Sequence, residues 1–264
     1  MTEQANLSAR AWDLVSRVIP FLGGLMVWEA GGQAGVIPAF LLPAPTVILA
    51  KFVELVSDGT MVFHTVESLR RALFGYLAAV AVGVPAGLLL GWFGRIYQMF
   101  ELPVELLRPI PAIALVPFGI LVFGIGDLSK IFVIFYACFF VLFIATLYGA
   151  ANVDEILLLS LRSMRATNRY IFRRVLIFAA SPYIFAGLRQ CIAIALILMI
   201  AGEMILGGSG LGFFIMDAER TFKISAMYSG IFFLGLLGYT LTKLFLGLER
   251  RTLNWYKRDQ GYQG

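Results

Sequence analysis

Long stretches without a charged residue are the feature that most restricts the fold of this chain. Three are uncharged throughout: Ala72 to Phe93, Ile131 to Val153 and Ile224 to Thr242. A helix needs about 20 mostly apolar residues to cross about 30 Å of hydrocarbon. Only 14% of the 264 residues are charged, whereas a soluble domain has about 25%. The sequence therefore predicts an all-α integral membrane protein.

Three further apolar stretches predict additional membrane spans, each with an interruption. Val175 to Gly202 contains Arg189 as its one charged residue. Pro109 to Gly126 is uncharged but contains three prolines, which are expected to kink a helix. Val18 to about Val36 is the least regular, because Glu29 lies inside it. Together with the three uncharged stretches, these predict six transmembrane helices.

The distribution of Lys and Arg predicts the orientation of the spans. With the amino terminus inside the cell, thirteen of these residues fall on the cytoplasmic side and six on the opposite side. Both termini are then cytoplasmic, with a segment 1–17, a six-helix transmembrane domain 18–250 and a tail 251–264. Because topology explains the positive charge, no nucleic-acid partner is predicted. The cytoplasmic set is Arg10, Arg17, Arg95, Arg108, Arg162, Arg165, Arg169, Arg173, Arg174, Arg250, Arg251, Lys257 and Arg258, and the opposite set is Lys51, Arg70, Arg71, Lys130, Arg220 and Lys223.

Glycines recur at every fourth position in the second predicted span, at Gly83, Gly87 and Gly91. This spacing places them on one helix face, where they let another backbone approach closely. Close packing in a static bundle is the favoured interpretation, since small-residue spacing indicates contact. A helix that moves and lines a transport pathway is the alternative.

The connection between the fourth and fifth spans, about residues 152–180, is too long for a simple turn and has a helical pattern. Apolar and small residues recur at steps of three and four, while arginines occupy the other faces. Two interpretations fit this pattern equally: an amphipathic helix on anionic lipid headgroups, or a docking element for a cytoplasmic partner. The recurring residues are Ile156, Leu157, Ser160, Met164, Thr167, Ile171 and Val175.

The sequence contains no motif for covalent or metal-dependent chemistry. No Gly-Lys dipeptide occurs, so the chain has no P-loop with which to bind ATP. His64 is the one histidine, and Cys138 and Cys191 are the two cysteines, which is too few for a metal cage. We interpret His64 as a surface residue in a polar connection. We therefore predict no catalytic site, no metal site and no cofactor bound by this chain, which is not expected to be an enzyme.

Several segments together resemble the permease subunits of ABC importers, and most closely the nitrate, sulfonate and taurine branch of the binding-protein-dependent transport family. The resemblance extends from about residue 18 to residue 255 without a large gap. Its motifs are Leu41-Leu42-Pro43-Ala44-Pro45, Ser68-Leu69-Arg70-Arg71, Arg108-Pro109-Ile110-Pro111, Gly124-Ile125-Gly126-Asp127, Ile171-Phe172-Arg173-Arg174-Val175-Leu176, Gly202-Glu203-Met204 and Gly208-Ser209-Gly210-Leu211-Gly212.

The resemblance implies the fold of a type I ABC importer permease, with six transmembrane helices and a cytoplasmic coupling helix between helices 4 and 5. It implies a permease subunit of the bacterial inner membrane that moves a small, anionic or polar solute into the cytoplasm. The implied partners are two cytoplasmic ABC ATPases that use ATP and Mg, a second permease chain, an external solute-binding protein and membrane lipid. The implied ATPase-coupling residues are Ser160, Arg162, Ser163, Met164, Arg165, Ala166, Thr167, Ile171, Phe172 and Arg173.

The loop departs from the family motif at three places. Aligned through Arg173-Arg174, the Glu-Ala-Ala of the family falls on Leu159-Ser160-Leu161, its glycine on Arg165 and its proline on Phe178. Since glycine permits the turn between two short helices, Arg165 predicts a straighter or differently bent loop. A homodimer of permease chains is the default expectation. The altered loop is also compatible with the weaker half of a heterodimer.

Four residues are candidates for the transport pathway or a gate: Pro109, Pro111, Pro117 and Glu203. The prolines interrupt the third span, and broken helices at membrane depth line cavities or pack against protein. Kinks that only shape the bundle are the equal alternative. Glu203 ends an apolar span, where a carboxylate needs a partner or a wet cavity, and a structural hydrogen bond is the alternative to a gate.

For the whole chain, the alternative function is a secondary transporter or channel that works alone.

Overall fold

The computed structural model describes residues 19–20 and 22–253, and this part of the chain is helical, with no β-strand in it. The predicted segment 1–17, Val18 and the tail residues 254–264 lie outside the described residues. Helix α1 covers residues 22–33. The other helices are α2 (Pro45–Ser57), α3 (Thr60–Trp92), α4 (Gly94–Leu107), a 3-10 turn (Ala112–Leu115), α5 (Val116–Phe123), α6 (Asp127–Ala151), α7 (Glu155–Ser163), α8 (Asn168–Ile171), a π-helical turn (Phe172–Leu176), α9 (Ile177–Leu206), α10 (Leu211–Arg220) and α11 (Ile224–Thr252).

The described residues form two compact units. The smaller unit comprises residues 19–20, 22–62 and 214–233, and the larger unit comprises residues 63–213 and 234–253. The pathway candidates, the predicted coupling loop and Glu203 all lie in the larger unit. The architecture of that unit therefore decides how these residues are arranged.

In the smaller unit, Glu29 of α1 binds the beginning of α2. Its carboxylate accepts hydrogen bonds from the Thr46 backbone N–H at 3.0 Å, the Thr46 hydroxyl at 2.7 Å and the Gln33 amide at 2.5 Å. The first N–H groups of a helix have no intrahelical acceptor, so this carboxylate caps α2. The charge that interrupts the first predicted span therefore has a structural role.

Among residues 22–253, four helices are long and apolar enough to cross a membrane, and a bent pair of helices makes a fifth candidate. They correspond to the second, fourth, fifth and sixth predicted spans, each extended at one end or both. In the first predicted span, residues 19–20 and 22–33 are helical. The four long candidates are Thr60–Trp92, Asp127–Ala151, Asn168–Leu206 and Ile224–Thr252.

The third predicted span, Pro109 to Gly126, is interrupted at its first two prolines, as predicted, but the interruption is a sharp bend and not a kink within one helix. Helix α4 and the helical segment Ala112–Phe123 are bent by 86° with respect to each other. The break lies at residues 108–111, and we call it the elbow. The helical part after the elbow is only 12 residues long, which is about 18–20 Å and too short to cross the hydrocarbon alone.

Proline explains the elbow, although only two of the three predicted prolines contribute. Pro109 and Pro111 donate no backbone N–H and disfavour helical geometry at the residue before them. Pro117 does not kink a helix, because it lies in the first turn of α5, where proline fits without losing a hydrogen bond. The break is therefore local to the Arg-Pro-Ile-Pro sequence.

The glycine stripe of α3 packs directly against α6. A Cβ atom at Gly87 would lie 2.7 Å from the Phe143 carbonyl oxygen and 2.6 Å from Thr146 Cβ. One at Gly91 would lie 2.6 Å from Ala150 Cβ. These distances are too short for non-bonded atoms, so the helices can be this close only because the stripe is glycine. The contacts support the close-packing interpretation.

Helix α6 also packs closely against α9. A Cβ at Gly149 of α6 would lie 2.9 Å from Tyr183 Cβ, and one at Gly187 of α9 would lie 2.9 Å from Ala145 Cβ. A buried apolar cluster connects the three helices, and α6 lies at its centre. Its members are Ala72, Ala79, Ile134, Cys138, Leu142, Cys191, Ala195 and Met199.

Candidate functional site

Glu203 is fully buried near the end of α9, and its carboxylate is fully hydrogen-bonded. The Ser68 hydroxyl lies 2.9 and 2.8 Å from the two oxygens. Arg71 Nη1 donates to Oε1 at 2.8 Å, and the Gly212 N–H donates to Oε2 at 2.9 Å. An ionised carboxylate within an apolar span is costly without such partners. Glu203 thus has the bonds that the structural alternative requires, and a gating role stays a prediction.

Arg71 of α3 connects Glu203 to two further carboxylates, and its side chain is almost fully buried. Its Nε donates to Asp127 at 2.6 Å and its Nη2 to Glu67 at 3.0 Å. The Ser209 carbonyl and hydroxyl oxygens accept from Nη1 at 2.9 Å and from Nη2 at 2.6 Å. All three guanidinium nitrogens are therefore used, and Arg71 joins α3, α6 and the segment after α9.

Lys130 brings a second buried cation to the same region. Its ammonium group donates to the Gly207 carbonyl oxygen at 2.7 Å, and the residue is 4% exposed. The orientation count treated Lys130 and Arg71 as charges flanking the spans, but their burial makes them part of the packed interior. We define the ionic cluster as Glu67, Arg70, Arg71, Asp127, Lys130 and Glu203, with Arg70 paired to Glu67 and Asp127.

Glycine residues after α9 allow the backbone to lie against the cluster. Gly207, Gly208 and Gly210 have φ values of 70°, 93° and 112°, a region that favours glycine. A Cβ at Gly210 would also overlap the carboxylate of Glu203. The Gly208-Ser209-Gly210-Leu211-Gly212 motif is therefore required by the close approach of the backbone to Glu203.

His64 belongs to the same region, and its interpretation as a surface residue in a connection is wrong. It lies in α3, it is half-buried, and its Nδ1 accepts a hydrogen bond from the Gly210 N–H at 3.1 Å. The next N–H, of Leu211, donates to the Ser68 hydroxyl at 2.8 Å. Two consecutive N–H groups of the segment after α9 therefore bind side chains of α3.

Sequence reasoning identified Glu203 but missed its partners. The sequence did contain a signal for these partners. The Ser68-to-Arg71 motif directly precedes the second predicted span, and the Gly208-to-Gly212 motif follows the fifth. A buried carboxylate also needs a cation. Six Lys and Arg residues were predicted on that side of the membrane, however, and only the helix packing selects Arg71 among them.

The predicted coupling loop forms two short helices with a break at residues 164–167. Asp154 caps α7, where its carboxylate accepts from the Ile156 N–H at 2.8 Å. Thr167 caps α8, where its hydroxyl accepts from the Tyr170 N–H at 3.3 Å. Side-chain acceptors of this kind fix helix starts. The helical pattern predicted for the loop is thus present, but as two helices.

Arg165 occupies the turn between α7 and α8 in the left-handed backbone conformation, with φ of 58°, a region that favours glycine. Its N–H donates to the Arg162 carbonyl at 2.9 Å, and the Ala166 N–H donates to the Leu161 carbonyl at 3.0 Å. This pair of bonds is the Schellman C-cap. Of the two expectations for the loop, straighter or differently bent, the straighter one is not found, because a turn separates α7 from α8. The turn is retained although a left-handed non-glycine residue costs about 1–2 kcal/mol.

The predicted coupling residues divide into exposed residues and core residues. Ile171 is completely buried. Phe172 packs edge-on against Trp92, with the ring centroids 6.2 Å apart. These two residues anchor the loop to α3 and α9, so they do not form its outer surface. The exposed members are Ser160, Arg162, Ser163, Met164, Arg165, Thr167 and Arg173, and Ala166 is half-exposed.

The outer surface of α7 and α8 carries apolar side chains. Met164 is 79% exposed and Ile156 is 74% exposed, and Leu159 and Tyr170 are each more than half exposed. Groups of exposed apolar side chains mark surfaces that contact another protein or a membrane. Both interpretations of the loop, docking and lipid contact, agree with this surface.

The structure does not bring the four pathway candidates together. Pro109 and Pro111 lie at the elbow, on either side of Ile110, which lines a cavity of about 380 Å³ in the larger unit. Pro117 is exposed on α5, and Glu203 lies in the ionic cluster; neither lines that cavity.

Long apolar helices packed through glycines define the chain as an all-α, multi-pass membrane protein. Comparison with known protein families identifies the family to which the chain belongs. Residues 83–253 match the family described as the binding-protein-dependent transport system inner membrane component, and the chain belongs to this family. The resemblance proposed from the sequence motifs is therefore confirmed.

Relatives agree with this assignment over most of the chain. A probable ABC transporter permease protein of Brucella abortus is 32% identical over 96% of this chain and 100% of its own length. The putative aliphatic sulfonates transport permease protein SsuC of Bacillus subtilis is 30% identical over 90% of this chain and 86% of its own. The taurine transport system permease protein TauC of Escherichia coli is 28% identical over 94% of each chain.

The fold is also that of a solved transporter chain. A chain of the MetNI methionine ABC transporter, in an inward-facing conformation, matches with a TM-score of 0.60 over 70% of this chain and 92% of its own. The two sequences are 20% identical, so the likeness concerns the fold alone. The predicted fold class, an all-α type I importer permease, is confirmed.

Proposed function

We propose that this chain is the permease subunit of an ATP-driven importer, which moves a small anionic or polar solute from an external solute-binding protein into the cytoplasm. Membership of a binding-protein-dependent transport family supports the dependence on a binding protein. The names of the sulfonate and taurine relatives support a small anionic or polar solute.

The proposed assembly contains two permease chains, two cytoplasmic ATPase subunits that use ATP and Mg, and the solute-binding protein. The proposed location is the bacterial inner membrane, with both termini in the cytoplasm. The Lys and Arg count supports this orientation even after the structure is taken into account. Removing the buried Arg71 and Lys130 and the elbow residue Arg108 leaves twelve against four, from thirteen minus one and six minus two.

The observation that carries the proposal is the shape of the coupling loop. The core residues Ile171 and Phe172 fix the loop to the spans, while Met164 and its apolar neighbours Ile156 and Leu159 are exposed. Such a loop binds a partner on one side and is rigidly joined to the helices on the other. In the proposed cycle, ATP-driven closure of the ATPases moves the loops, and the loops shift the spans between two access states.

The test places a charge on this surface. In the double variant Met164→Asp, Ala166→Asp, two carboxylates enter an apolar contact, and burying an unpaired charge is costly. The matched control is Ile125→Asp, because Ile125 is as exposed as Met164, at 79%, but lies between α5 and α6.

The permease is purified from membranes together with tagged ATPase subunits, and ATP hydrolysis and retention of the ATPase are measured. We expect the ATPase retained by the double variant to fall about tenfold or more. A loss of about 1.4 kcal/mol of binding free energy lowers the affinity tenfold. Ile125→Asp should retain the wild-type amount. Equal retention in both variants would refute the docking assignment.

A further inference from the structure

A cavity of about 380 Å³ lies inside the larger unit, between the elbow, α6 and α9. The elbow contributes Arg108, Ile110 and Ala112 to its wall. Both long helices contribute mostly apolar side chains, together with one phenol and one amide. The lining residues from these helices are Tyr136, Ala137, Phe140, Val141, Ile144, Ala145, Gln190 and Ile194.

The cavity lies at mid-length of two spanning helices. On α6, its lining begins at Tyr136, nine residues after the start of the helix, and ends at Ala145, six residues before its end. At 1.5 Å per residue, these positions are about 14 Å and about 9 Å from the two helix ends. On α9, Gln190 lies thirteen residues after the start and sixteen before the end. The cavity is therefore well inside the apolar part of the protein.

Arg108 is the one charged residue among those that line the cavity. Its guanidinium makes no ion pair and no side-chain hydrogen bond with any residue of the described part of the chain, and the residue is exposed. An unpaired arginine at this depth is costly in lipid, so arginines at such positions face water-filled cavities or protein. The five guanidinium N–H groups therefore remain available to a ligand.

The other two polar groups of the cavity have different roles. The Tyr136 hydroxyl donates to the Leu107 carbonyl oxygen at 2.6 Å, which ties the last turn of α4 to α6 and fixes the residue before Arg108. The Gln190 side chain is exposed, and its amide group makes no hydrogen bond with another described residue. Arg108 and Gln190 can thus both donate to one bound oxygen-bearing group, while the surrounding walls are apolar.

We propose that this cavity is a subsite of the transport pathway that binds the anionic group of the solute. Arg108 is the residue that contacts the anion, and Gln190 is a second donor. A guanidinium recognises planar or tetrahedral oxyanions through paired N–H bonds, as with carboxylate and phosphate. The ligand class is therefore a small oxyanion such as a sulfonate or nitrate. The inference rests on the proposed function and deepens it, because it assigns a binding site for the anionic solute within the transport pathway.

The first experiment measures charge selection without requiring transport. A cysteine is introduced on the cavity wall by Ala112→Cys, and the background is the wild-type chain, whose Cys138 and Cys191 are completely buried. The protein, in phosphatidylcholine nanodiscs, is labelled with an anionic sulfonatoethyl and a cationic trimethylammonioethyl methanethiosulfonate. We expect the anionic reagent to react faster. Arg108→Gln should lower the anion-to-cation rate ratio about tenfold, as expected for a unit charge a few ångströms away in a partly wet site.

The matched control is Arg95→Gln, which removes an exposed arginine from the other end of α4 and should leave the ratio unchanged. Methanesulfonate or nitrate should protect the cysteine, whereas dimethyl sulfone, a neutral molecule of similar shape, should not. No reaction at Ala112→Cys, or a ratio that Arg108→Gln leaves unchanged, would overturn the proposal. Protection only by added phosphatidylglycerol would also overturn it, because the site would then bind lipid headgroups.

The second experiment uses the complete transporter in proteoliposomes. Arg108→Gln should reduce ATP-dependent uptake of the transported sulfonate or nitrate at least about tenfold, and Arg108→Lys should restore part of it, since the charge is kept but the paired geometry is lost. Wild-type uptake by Arg108→Gln would overturn the proposal. If the wild-type complex shows no ATP-dependent uptake, the proposed function fails, while the labelling experiment still decides whether the cavity selects anions.

Discussion

Arg71 and Glu203 form a buried ion pair, with Nη1 2.8 Å from Oε1 and side-chain exposures of 4% and 0%. The pair connects α3 to the last turns of α9, and its two residues are 132 positions apart in the sequence. By contrast, Arg189 and Glu249 pair at 3.3 Å, with the arginine side chain 44% exposed and the glutamate side chain 15% exposed. The two pairs give a natural comparison between a buried and a partly exposed contact.

Glu203→Gln is expected to lower stability strongly. Glutamine keeps the volume but leaves Arg71 without one of its buried partners, and breaking one side of a buried pair costs about 3–5 kcal/mol. The matched control is Glu249→Gln, which removes a longer, partly exposed pair, for which a cost of about 1 kcal/mol is expected. The measurement is the thermal midpoint of the detergent-purified chain.

This comparison also separates the two roles considered for Glu203. A structural role predicts that assembly, thermal midpoint and uptake fall together in Glu203→Gln. A gate predicts that uptake is lost while assembly and midpoint stay normal. If Glu203→Gln has both the wild-type midpoint and the wild-type uptake rate, Glu203 has neither the structural role nor the gating role.

Gly210→Ala should destabilise the chain by two effects, and a control isolates one of them. The new methyl group overlaps the Glu203 carboxylate, and φ of 112° is unfavourable for alanine. Gly124 also has positive φ, at 76°, but a Cβ there would meet nothing within 4 Å. We therefore expect a much larger loss of thermal midpoint for Gly210→Ala than for Gly124→Ala. Equal losses would show that the clash with Glu203 is absent.

Gly87→Ala tests the close packing of α3 on α6. The added Cβ would lie 2.7 Å from the Phe143 carbonyl oxygen, a backbone atom that cannot rotate away, so the helices must separate. Gly235 of α11 has open space around its Cβ position, and alanine is the better helix former by about 1 kcal/mol. The expected result is a lower thermal midpoint for Gly87→Ala and an unchanged or higher one for Gly235→Ala. An unchanged thermal midpoint for Gly87→Ala would contradict the close packing and favour a helix that moves.

The positions of the long helices could be predicted from the sequence, because a hydrocarbon solvent leaves few alternatives to uninterrupted apolar helices. The elbow could not. The three prolines predict a break in the third span. The sequence from Arg108 to Gly126 does not predict its angle, and the chain turns there by 86°. That angle depends on how α4 and α6 pack, for example through the hydrogen bond of Tyr136 to Leu107.

The candidate site was predictable only in part. Glu203 stood out because its charge is rare within a span, whereas Arg71 and Lys130 looked like ordinary flanking charges. Their burial follows from the fold of residues 207–212 over α3 and α6, which is a long-range contact. Likewise, the alignment showed that Arg165 replaces a glycine, but not that arginine would accept the same backbone angle.

Arg165 can be tested through the turn that it occupies. The Ala166 N–H, which donates to the Leu161 carbonyl at 3.0 Å, reports the Schellman bonds by hydrogen exchange. Arg165→Gly removes the cost of left-handed backbone, while Arg165→Val raises it. We expect exchange of the peptide containing Ala166 to be slowest for glycine, intermediate for arginine and fastest for valine. The reverse order would mean that the turn does not form.

The most direct test of the account is ATP-dependent uptake by the reconstituted complex. The chain, the ATPase subunits and the solute-binding protein are placed in proteoliposomes, and accumulation of a labelled sulfonate or nitrate is followed with ATP and Mg on the ATPase side. The account predicts uptake that requires the binding protein and stops when the ATPase subunits carry an inactivating substitution. Uptake at the same rate by the chain alone, without ATPase or binding protein, would contradict it and identify a transporter or channel that works by itself.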